Sequence, residues 1–420
     1  ETLLGGRWAW MLGPLFLVVF RACPGHVHTF EPSLINRTFT HPLVLWALLL
    51  VLRGRLVPAA AVCGLAFDLH ASTASHTLAA VLFAGLLDSS LRRRLPMAVL
   101  GFALCAAPLL VMVVWRGGPG DWWVDAEWMH VLRWRMPHHL FPWRWPAGVW
   151  AVAAFQLGLY LVGARWIPDR ATRLRCHGVV IGVIVCGPVL GTIVAGPLPV
   201  APLLGLHLWE SWLLLAVVAY LVAGGLVAKL LAGPRLLSRV CGVGVGVLLL
   251  VGGEGRLMGI PGARVWQWRG PTGDAAQLAR TLARVTGPGE LLMVPPTGMG
   301  WLRPATGLPL LVTVKDGGEV VFDREMALQW RDRLEALCGE DLLAGPPPRD
   351  EWLGYRSVGR RAAAAFEARD PRELQQLALK ERAWLVPVPI SGARQDLTPA
   401  YVNDGFLVYD LRLELPEESP

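Results

Sequence analysis

Long apolar runs recur through the first 260 residues, and they constrain the fold more than any other feature. The candidate spans are residues 8–22, 40–52, 56–70, 75–91, 95–115, 147–164, 176–196, 205–231 and 240–260. A helix needs roughly 20 apolar residues to cross a bilayer, and fewer where it is packed inside a bundle. Only 17% of the chain is charged, against about 25% in soluble proteins. The sequence therefore predicts an α-helical polytopic membrane domain of about nine spans over residues 1–261.

Basic clusters follow every second span and set the expected orientation. They are Arg53 with Arg55, Arg92–Arg94, the arginines from 165 to 175, and Lys229 with Arg235 and Arg239. Cytoplasmic loops of membrane proteins are enriched in Lys and Arg. With nine spans, all four clusters fall on the cytoplasmic side. The loops between them and the whole C-terminal segment are then extracytoplasmic.

Charge separates the chain into two parts. Residues 1–261 contain 20 Lys and Arg against 10 Asp and Glu, whereas residues 262–420 contain 19 against 22. The basic residues of the first part lie at the ends of apolar runs, as membrane topology requires, so nucleic acid is not an expected partner. Membrane lipids are.

The segment 262–420 predicts a small soluble α/β domain. Helical patterns cover 274–285, 323–339 and 372–383, and strand patterns cover 290–296, 308–316, 384–389 and 405–413. Alternating helices and strands favour a layered fold. The segment has no phosphate-loop spacing and no evident pair of nucleophile and base. We therefore interpret it as a cap or recognition module, through which protein partners would bind.

Histidines collect in the predicted external loops. Nine of the ten lie there or at the neighbouring span ends, namely His26, His28, His41, His70, His76, His130, His138, His139 and His207. Imidazole is often found at interfaces, but so many histidines on one side predict a shared polar cavity. Most prominent is MPHHLFPWRWP (136–146), which contains His138, His139 and Arg144. Its prolines end any helix.

The segment 121–135, DWWVDAEWMHVLRWR, predicts an amphipathic helix. Val124, Trp128, Val131 and Leu132 share one face. Such a helix is typical of segments that lie in the headgroup plane of a membrane.

Acidic residues near the external face are the candidates for catalysis. Asp68 lies inside an apolar run, where a carboxylate is costly and usually paired. We expect His70, His76 or an arginine to be its partner; a purely structural Asp–His contact is the alternative. Glu31 is a second carboxylate, held beside Pro32. His207 and Glu210 in HLWESW lie three residues apart, so a helix would place them on one face.

The sequence does not predict a metal site. The seven cysteines lack metal-type spacing and most lie in apolar runs. His26-x-His28 lacks a third ligand fixed by spacing. No cofactor is predicted, and a divalent metal is left open.

Several segments together resemble the GT-C class of membrane glycosyltransferases, and in particular an uncharacterised bacterial relative of that class. In the membrane part they are LINRTFTHPLVLWALLLVLRGR (34–55), AAAVCGLAFDLHASTASHTLAA (59–80) and RMPHHLFPWRWP (135–146). In the tail they are GELLMVPPTGMGWLRPATGLPLLVTVKD (289–316), EMALQWRDRLEAL (325–337) and YVNDGFLVYDLR (401–412). The resemblance covers most of the chain.

The resemblance implies a bacterial inner-membrane enzyme that transfers a sugar from a polyprenyl-phosphate donor at the external face. Its base would be an Asp or Glu in the first external loop. That loop is expected upstream of Glu1, in a longer chain, and Glu31 is the nearest substitute here. The resemblance also implies cationic ligands for the lipid phosphate. The available ones are Arg37, Arg133, Arg135 and Arg144, with His138 and His139 beside them.

Two other functions are compatible with the sequence. A non-catalytic membrane scaffold or accessory subunit would explain why no clear acidic motif is present. A transporter or lipid flippase would explain intramembrane charge such as Asp68 and Glu254, although the chain shows no repeated halves.

Overall fold

The computed structural model describes residues 11–12, 15–16, 22–24, 27–28, 36–115, 122–251, 271–348 and 351–413. Their contacts divide the chain into two compact units. The first unit comprises residues up to Trp123 and the segment that begins at His138 and precedes the C-terminal domain. The second unit comprises Val124–Pro137 and the C-terminal domain.

The first unit is built from apolar helices. They are Asn36–Leu52, Leu56–Phe67, Ala71–Leu87, Leu95–Cys105, Ala107–Trp115, Ala147–Ala164, Arg170–Ile184, Trp212–Ala232 and Leu236–Val251. Three continuous helical stretches are long and apolar enough to cross a membrane, namely Ala147–Ala164, Arg170–Ala195 and Ala201–Ala232. The other apolar helices among the described residues are shorter, so the structure supports an integral membrane protein without establishing nine spans.

Large apolar side chains cover the outer surface of this unit. Leu104, Val111, Trp115 and Leu248 are each at least 65% exposed. Soluble proteins rarely expose so much contiguous apolar surface. This surface is therefore suited to contact with lipid chains.

A pair of glycines brings two of these helices into close contact. Gly178 and Gly182 form a G-x-x-x-G pattern on Arg170–Ile184 and face Ala80 and Ala84 of the helix Ala71–Leu87. A Cβ at Gly178 would overlap the Cα of Ala84, and one at Gly182 would lie 2.9 Å from the Cα of Ala80. Small residues at this spacing allow membrane helices to pack backbone to backbone.

Arg175 connects three helix ends on the side of the predicted cytoplasmic loops. Its Nε donates to Asp88 Oδ2 at 2.7 Å, and its Nη1 donates to the carbonyl of Leu52 at 2.9 Å. Gly54, with φ +76°, leaves room for the guanidinium, which lies 3.0 Å from where a Cβ would be. One half-buried cation thus joins the ends of Asn36–Leu52, Ala71–Leu87 and Arg170–Ile184.

Two of the long helical stretches contain irregular turns that lie next to each other. Val185–Gly191 is a π-helical turn between Arg170–Ile184 and Thr192–Ala195. In Ala201–Ala232 the helix Ala201–Gly205 ends before His207, and the 3₁₀ turn Leu208–Ser211 leads into Trp212–Ala232. The two irregular turns pack against each other, since a Cβ at Gly187 would lie 2.7 Å from Ser211 Oγ. π-helical turns are frequent at functional sites.

The second unit combines helices with a small sheet. Its helices are Ala126–Arg135, Gly273–Val285, Leu302–Thr306, Arg324–Cys338, Gly354–Ala368 and Pro371–Glu381. Strands Leu385–Pro389 and Pro399–Val402 pair antiparallel with the central strand Phe406–Asp410. Leu278, Leu282, Leu292, Leu302 and Val408 are buried in its main core.

Two predicted strands of the tail are wrong as regular strands. The segments 290–296 and 308–316 form no regular ladder among the described residues. They are joined by the isolated bridge Leu292–Leu310 and by a bond from the Val314 N–H to the Pro296 carbonyl at 2.9 Å, and a second isolated bridge joins Leu292 to Leu385. Prolines 295, 296 and 309 lack the N–H that a ladder needs. The segments are nonetheless buried, with Leu292, Met293 and Val294 fully enclosed, so the apolar pattern correctly predicted burial.

The amphipathic segment 121–135 also differs from its prediction. The helix starts at Ala126, after Asp125 caps it through a 2.8 Å bond from the Trp128 N–H. Its apolar face, with Trp128, Val131 and Leu132 buried, packs against Arg324–Cys338 and Gly354–Ala368 rather than lying in headgroups. The Trp128 Nε1–H donates to the carbonyl of Val320 at 2.6 Å. An amphipathic pattern alone does not distinguish a protein partner from a membrane.

Candidate functional site

A buried carboxylate with two imidazoles forms the centre of the site. Glu210 has a side chain only 4% exposed. The Nδ1 of His139 lies 3.1 Å from its Oε1, and the Nδ1 of His207 lies 3.3 Å from the same oxygen. Ligand atoms of the three residues all lie within 4.8 Å of one another. We call His139, His207 and Glu210 the His/Glu cluster.

The local backbone explains why His207 and Glu210 face each other. His207 has φ 49° and ψ 54°, a left-handed conformation that is uncommon for residues other than glycine. The Glu210 N–H then donates to the His207 carbonyl at 2.7 Å, which closes the 3₁₀ turn. Ser72 Oγ donates to the carbonyl of Leu206 at 2.6 Å, so the preceding residue is tied to the helix Ala71–Leu87.

His139 comes to the cluster from a short proline-bounded turn. The segment Pro137–Leu140 forms one helical turn and Pro142–Arg144 a 3₁₀ turn. The His139 ring stacks on His207 with centroids 4.8 Å apart and planes 4° apart. On its other side it contacts the buried His138, with centroids 4.1 Å apart. Three imidazoles therefore lie in a row.

A fourth imidazole and an indole complete the surroundings. His76 on Ala71–Leu87 is 2% exposed and close enough to Glu210 for their charges to interact. Trp209 is 3% exposed and packs against Trp145, with centroids 4.9 Å apart. Within the part of the chain that the structure describes, neither His76 Nε2 nor Trp209 Nε1 has a hydrogen-bond partner.

A small depression adjoins the cluster. It is lined by His139, Leu140, Gly191, Val194, Leu203, Leu204, Leu208 and Trp209. Its wall is mostly apolar, and its polar atoms come from one imidazole and one indole. Such a surface suits a ligand with an apolar part and one polar group.

The chemistry of the site follows from its donor set. A carboxylate in so buried a position is stable only when hydrogen bonds or positive charge compensate it. Imidazole can provide either, as a neutral N–H donor or as an imidazolium. The same three groups are ordinary ligands for borderline divalent metals. Proton uptake, anion binding and metal binding are therefore all within the site's capability.

The structure places four of the predicted external histidines together, namely His76, His138, His139 and His207. The shared external cavity expected for the whole set stays a prediction. His70 instead caps Ala71–Leu87, its Nδ1 accepting from the Thr73 N–H at 3.3 Å.

The expected ion pair of Asp68 does not form among the described residues. Asp68 is exposed at the end of Leu56–Phe67, and its Oδ1 accepts from the Leu109 N–H at 3.2 Å. Asp68 therefore satisfies the backbone of a neighbouring helix start, which is a common use of a short carboxylate. This exposed position explains why the Asp68 carboxylate needs no cation, although it follows an apolar stretch.

The structure places the predicted cationic ligands in different environments. Arg144 follows the histidine turn, is half-buried, and has a pKa lowered by that burial. Arg133 is exposed and Arg135 is buried, and both belong to the second unit. Arg135 donates to the carbonyl of Val314 at 3.2 Å, so its prediction as a substrate ligand is replaced by a structural role. Glu31, and the side chain of Arg37, lie outside the described residues.

The sequence indicated the close spacing of His207 and Glu210, but the pair was not among the predicted site residues. The spacing in HLWESW was visible, whereas the partner His139 lies far away in the sequence. Trp209 was missed because one tryptophan among 20 carries little information. Only the fold brings these residues together.

No family model, curated protein sequence or solved structure matches this chain.

Proposed function

We propose that this chain is an integral-membrane transferase that moves a sugar from a polyprenyl-phosphate donor, with its chemical centre at the His/Glu cluster. The observation that carries the proposal is the buried Glu210 carboxylate, approached at one oxygen by two imidazoles. It lies at the start of a helical stretch long enough to cross a membrane. The resemblance of the sequence to GT-C enzymes suggests the reaction class.

Transfer from a lipid phosphate makes two demands that this cluster can meet. An acceptor hydroxyl must lose its proton as it attacks the anomeric carbon, and the departing phosphate must be stabilised. His138 provides a basic nitrogen, whereas His139 and His207, as imidazolium or through a bound cation, offset the phosphate charge. The depression beside His139 and Trp209 has room for about one water-sized group, such as a phosphate oxygen.

The catalytic carboxylate of this proposal is Glu210. Glu31 and Asp68, the sequence-based candidates, are not brought to the cluster in the described part of the chain. An external location of the cluster follows from the alternating basic loops and belongs to the proposal as well.

The test uses the full chain in proteoliposomes with polyprenyl-phosphate-linked hexoses and pentoses. We expect loss of sugar from at least one donor, and a decrease of at least about 100-fold in Glu210→Gln, the scale of losing a key electrostatic group. His177→Asn is the matched control, because His177 bonds Tyr160 Oη at 2.6 Å elsewhere in the same unit.

A binding measurement complements the activity assay. Native mass spectrometry should show tighter binding of polyprenyl phosphate than of the corresponding polyprenol, and weaker phosphate binding in His139→Asn. If no donor is consumed and the phosphate adds nothing to binding, the transferase proposal is wrong.

A further inference from the structure

We propose that His139, His207 and Glu210 bind one divalent first-row cation, and that zinc fits this donor set best. The inference about the ion rests on the contacts of the cluster. Its role towards a lipid phosphate rests in addition on the function proposed above. The sequence predicted no metal ligands at these positions.

Two of the three ligand separations fit a coordination sphere. With metal–ligand distances of about 2.0–2.1 Å, neighbouring ligand atoms of a tetrahedral zinc lie about 3.3 Å apart. The observed separations from Glu210 Oε1 are 3.1 Å to His139 Nδ1 and 3.3 Å to His207 Nδ1. Two imidazole nitrogens and one carboxylate oxygen form a set of three protein ligands, as in zinc sites that keep an open position.

One ring must turn when the ion binds. A metal lies in the plane of each imidazole that coordinates it, and the rings of His139 and His207 are stacked nearly parallel. Rotation of one ring about its Cβ–Cγ bond brings both nitrogens towards a common point. Torsions of this kind have broad minima, so the adjustment costs little.

The backbone of the cluster is held in place by contacts that do not involve the ligand atoms. The left-handed conformation of His207 is unfavourable for a residue other than glycine and is maintained by the Ser72–Leu206 bond and by the 3₁₀ turn. Gly187 and Gly191 let the π-helical turn approach Ser211 and Trp209 closely. Strain that the surroundings maintain is concentrated at functional sites.

Two buried polar atoms near the cluster can also form hydrogen bonds with a further ligand. His76 Nε2 and Trp209 Nε1 are buried and lack a hydrogen-bond partner among the residues that the structure covers. A buried polar atom without a partner destabilises the folded state. A water or phosphate oxygen in the open position of the metal would give such atoms an acceptor or donor. In the transferase, the ion would place positive charge between Glu210 and the lipid phosphate.

The first experiment measures metal content and affinity. The purified full chain in nanodiscs is stripped with chelator, titrated with zinc and analysed by inductively coupled plasma mass spectrometry. We expect one zinc per chain, and at least a tenfold weaker affinity in His139→Asn, His207→Asn and Glu210→Gln. Asparagine is chosen at 207 because it tolerates a left-handed backbone. His177→Asn again serves as control and should keep wild-type affinity.

A spectroscopic measurement on the unmutated chain tests the metal site even if the variants fail to fold. Cobalt loaded in place of zinc should give visible d–d bands of a four- or five-coordinate N/O site. X-ray absorption at the zinc edge should show two imidazoles. Less than stoichiometric zinc in the wild type, or wild-type zinc affinity in all three of the variants His139→Asn, His207→Asn and Glu210→Gln, would overturn the proposal. Because neither readout requires turnover, zinc binding without sugar transfer would refute only the transferase.

Discussion

Arg135 shows how one side chain can be essential without contacting a substrate. It is 7% exposed, donates to the Val314 carbonyl, and lies 5.8 Å over the Tyr355 ring. Burial lowers its pKa to about 10, so the guanidinium is still charged at neutral pH. Gly317 makes room for it, since a Cβ there would lie 2.9 Å from Arg135 Nε.

Replacing Arg135 should therefore destabilise the second unit rather than change catalysis alone. We expect Arg135→Ala to lower the free energy of unfolding by about 2–4 kcal/mol, through the lost charged hydrogen bond and lost packing. The exposed neighbour Arg133→Ala should change it by less than about 0.5 kcal/mol. Thermal unfolding of the full chain in nanodiscs tests this; equal effects of the two variants would contradict it.

Glu335 makes the second unit sensitive to pH. Burial raises its pKa from 4.5 to about 7, and the neighbouring Asp341 adds to the effect. Since the folded-state pKa lies above the ordinary value, its contribution to stability is full below about pH 4.5. That contribution is lost as the pH rises through 7. Because the Glu335 side chain is 28% exposed, solvent screening reduces this stability contribution to about 1 kcal/mol.

The variant Glu335→Gln should remove this dependence. At pH 8 we expect slower hydrogen exchange in Arg324–Cys338 than in the wild type, and no gain at pH 4.5. Glu325→Gln, on the exposed first turn of the same helix, is the control. A gain that is independent of pH would show that charge on Glu335 is not the cause.

At the scale of elements, the sequence predicted most of the tail helices and two strands of its sheet. The predicted helix 274–285 is Gly273–Val285 and the predicted helix 323–339 is Arg324–Cys338, because a 3.6-residue period is local. The predicted strands 384–389 and 405–413 correspond to Leu385–Pro389 and Phe406–Asp410. The strand Pro399–Val402 was missed, since its pairing with Phe406–Asp410 depends on neighbours. The helix Gly354–Ala368 was also missed.

The glycine pair on Arg170–Ile184 gives a prediction for helix packing. Gly178→Ala should lower the midpoint of thermal unfolding by several degrees, because its Cβ would overlap the backbone at Ala84. Gly158→Ala is the matched control in the helix Ala147–Ala164, where a Cβ meets nothing within 4 Å. Fluorescence-detected size exclusion after heating would measure both. Equal losses would indicate that the glycines do not set the helix distance.

For the whole molecule, the apolar pattern predicted membrane-spanning helices, and three stretches long and apolar enough to cross a membrane are present, but the pattern could not locate the site. His139 lies on a different element from His207 and Glu210, and the meeting of the three residues depends on a left-handed residue and a π-helical turn. The π-helical turn has a local signal in Gly187-Pro188, whereas the left-handed conformation of His207 results from tertiary packing. The pair His207 and Glu210 was visible only as a spacing.

Orientation in the membrane is a prediction at this scale. The alternating basic clusters require an extracytoplasmic C-terminus. Alkaline phosphatase fused after Pro420 should be active, whereas a fusion after Arg94 should be inactive. Fluorescence of a cytoplasmic reporter at Pro420 would instead mean that the true number of spans differs from nine by an odd number.

The three-way contact of Arg175 has a consequence for biogenesis. A ribosome releases Leu52 and Asp88 well before Arg175, which is 87 residues beyond Asp88. At about 5–20 residues per second, that interval lasts roughly 4–17 seconds. During this time Asp88 has its local partner Ser90, whose Oγ donates to Asp88 Oδ1 at 2.6 Å, but the three helix ends are not yet joined by Arg175. Insertion of the helix Arg170–Ile184 therefore completes this contact last.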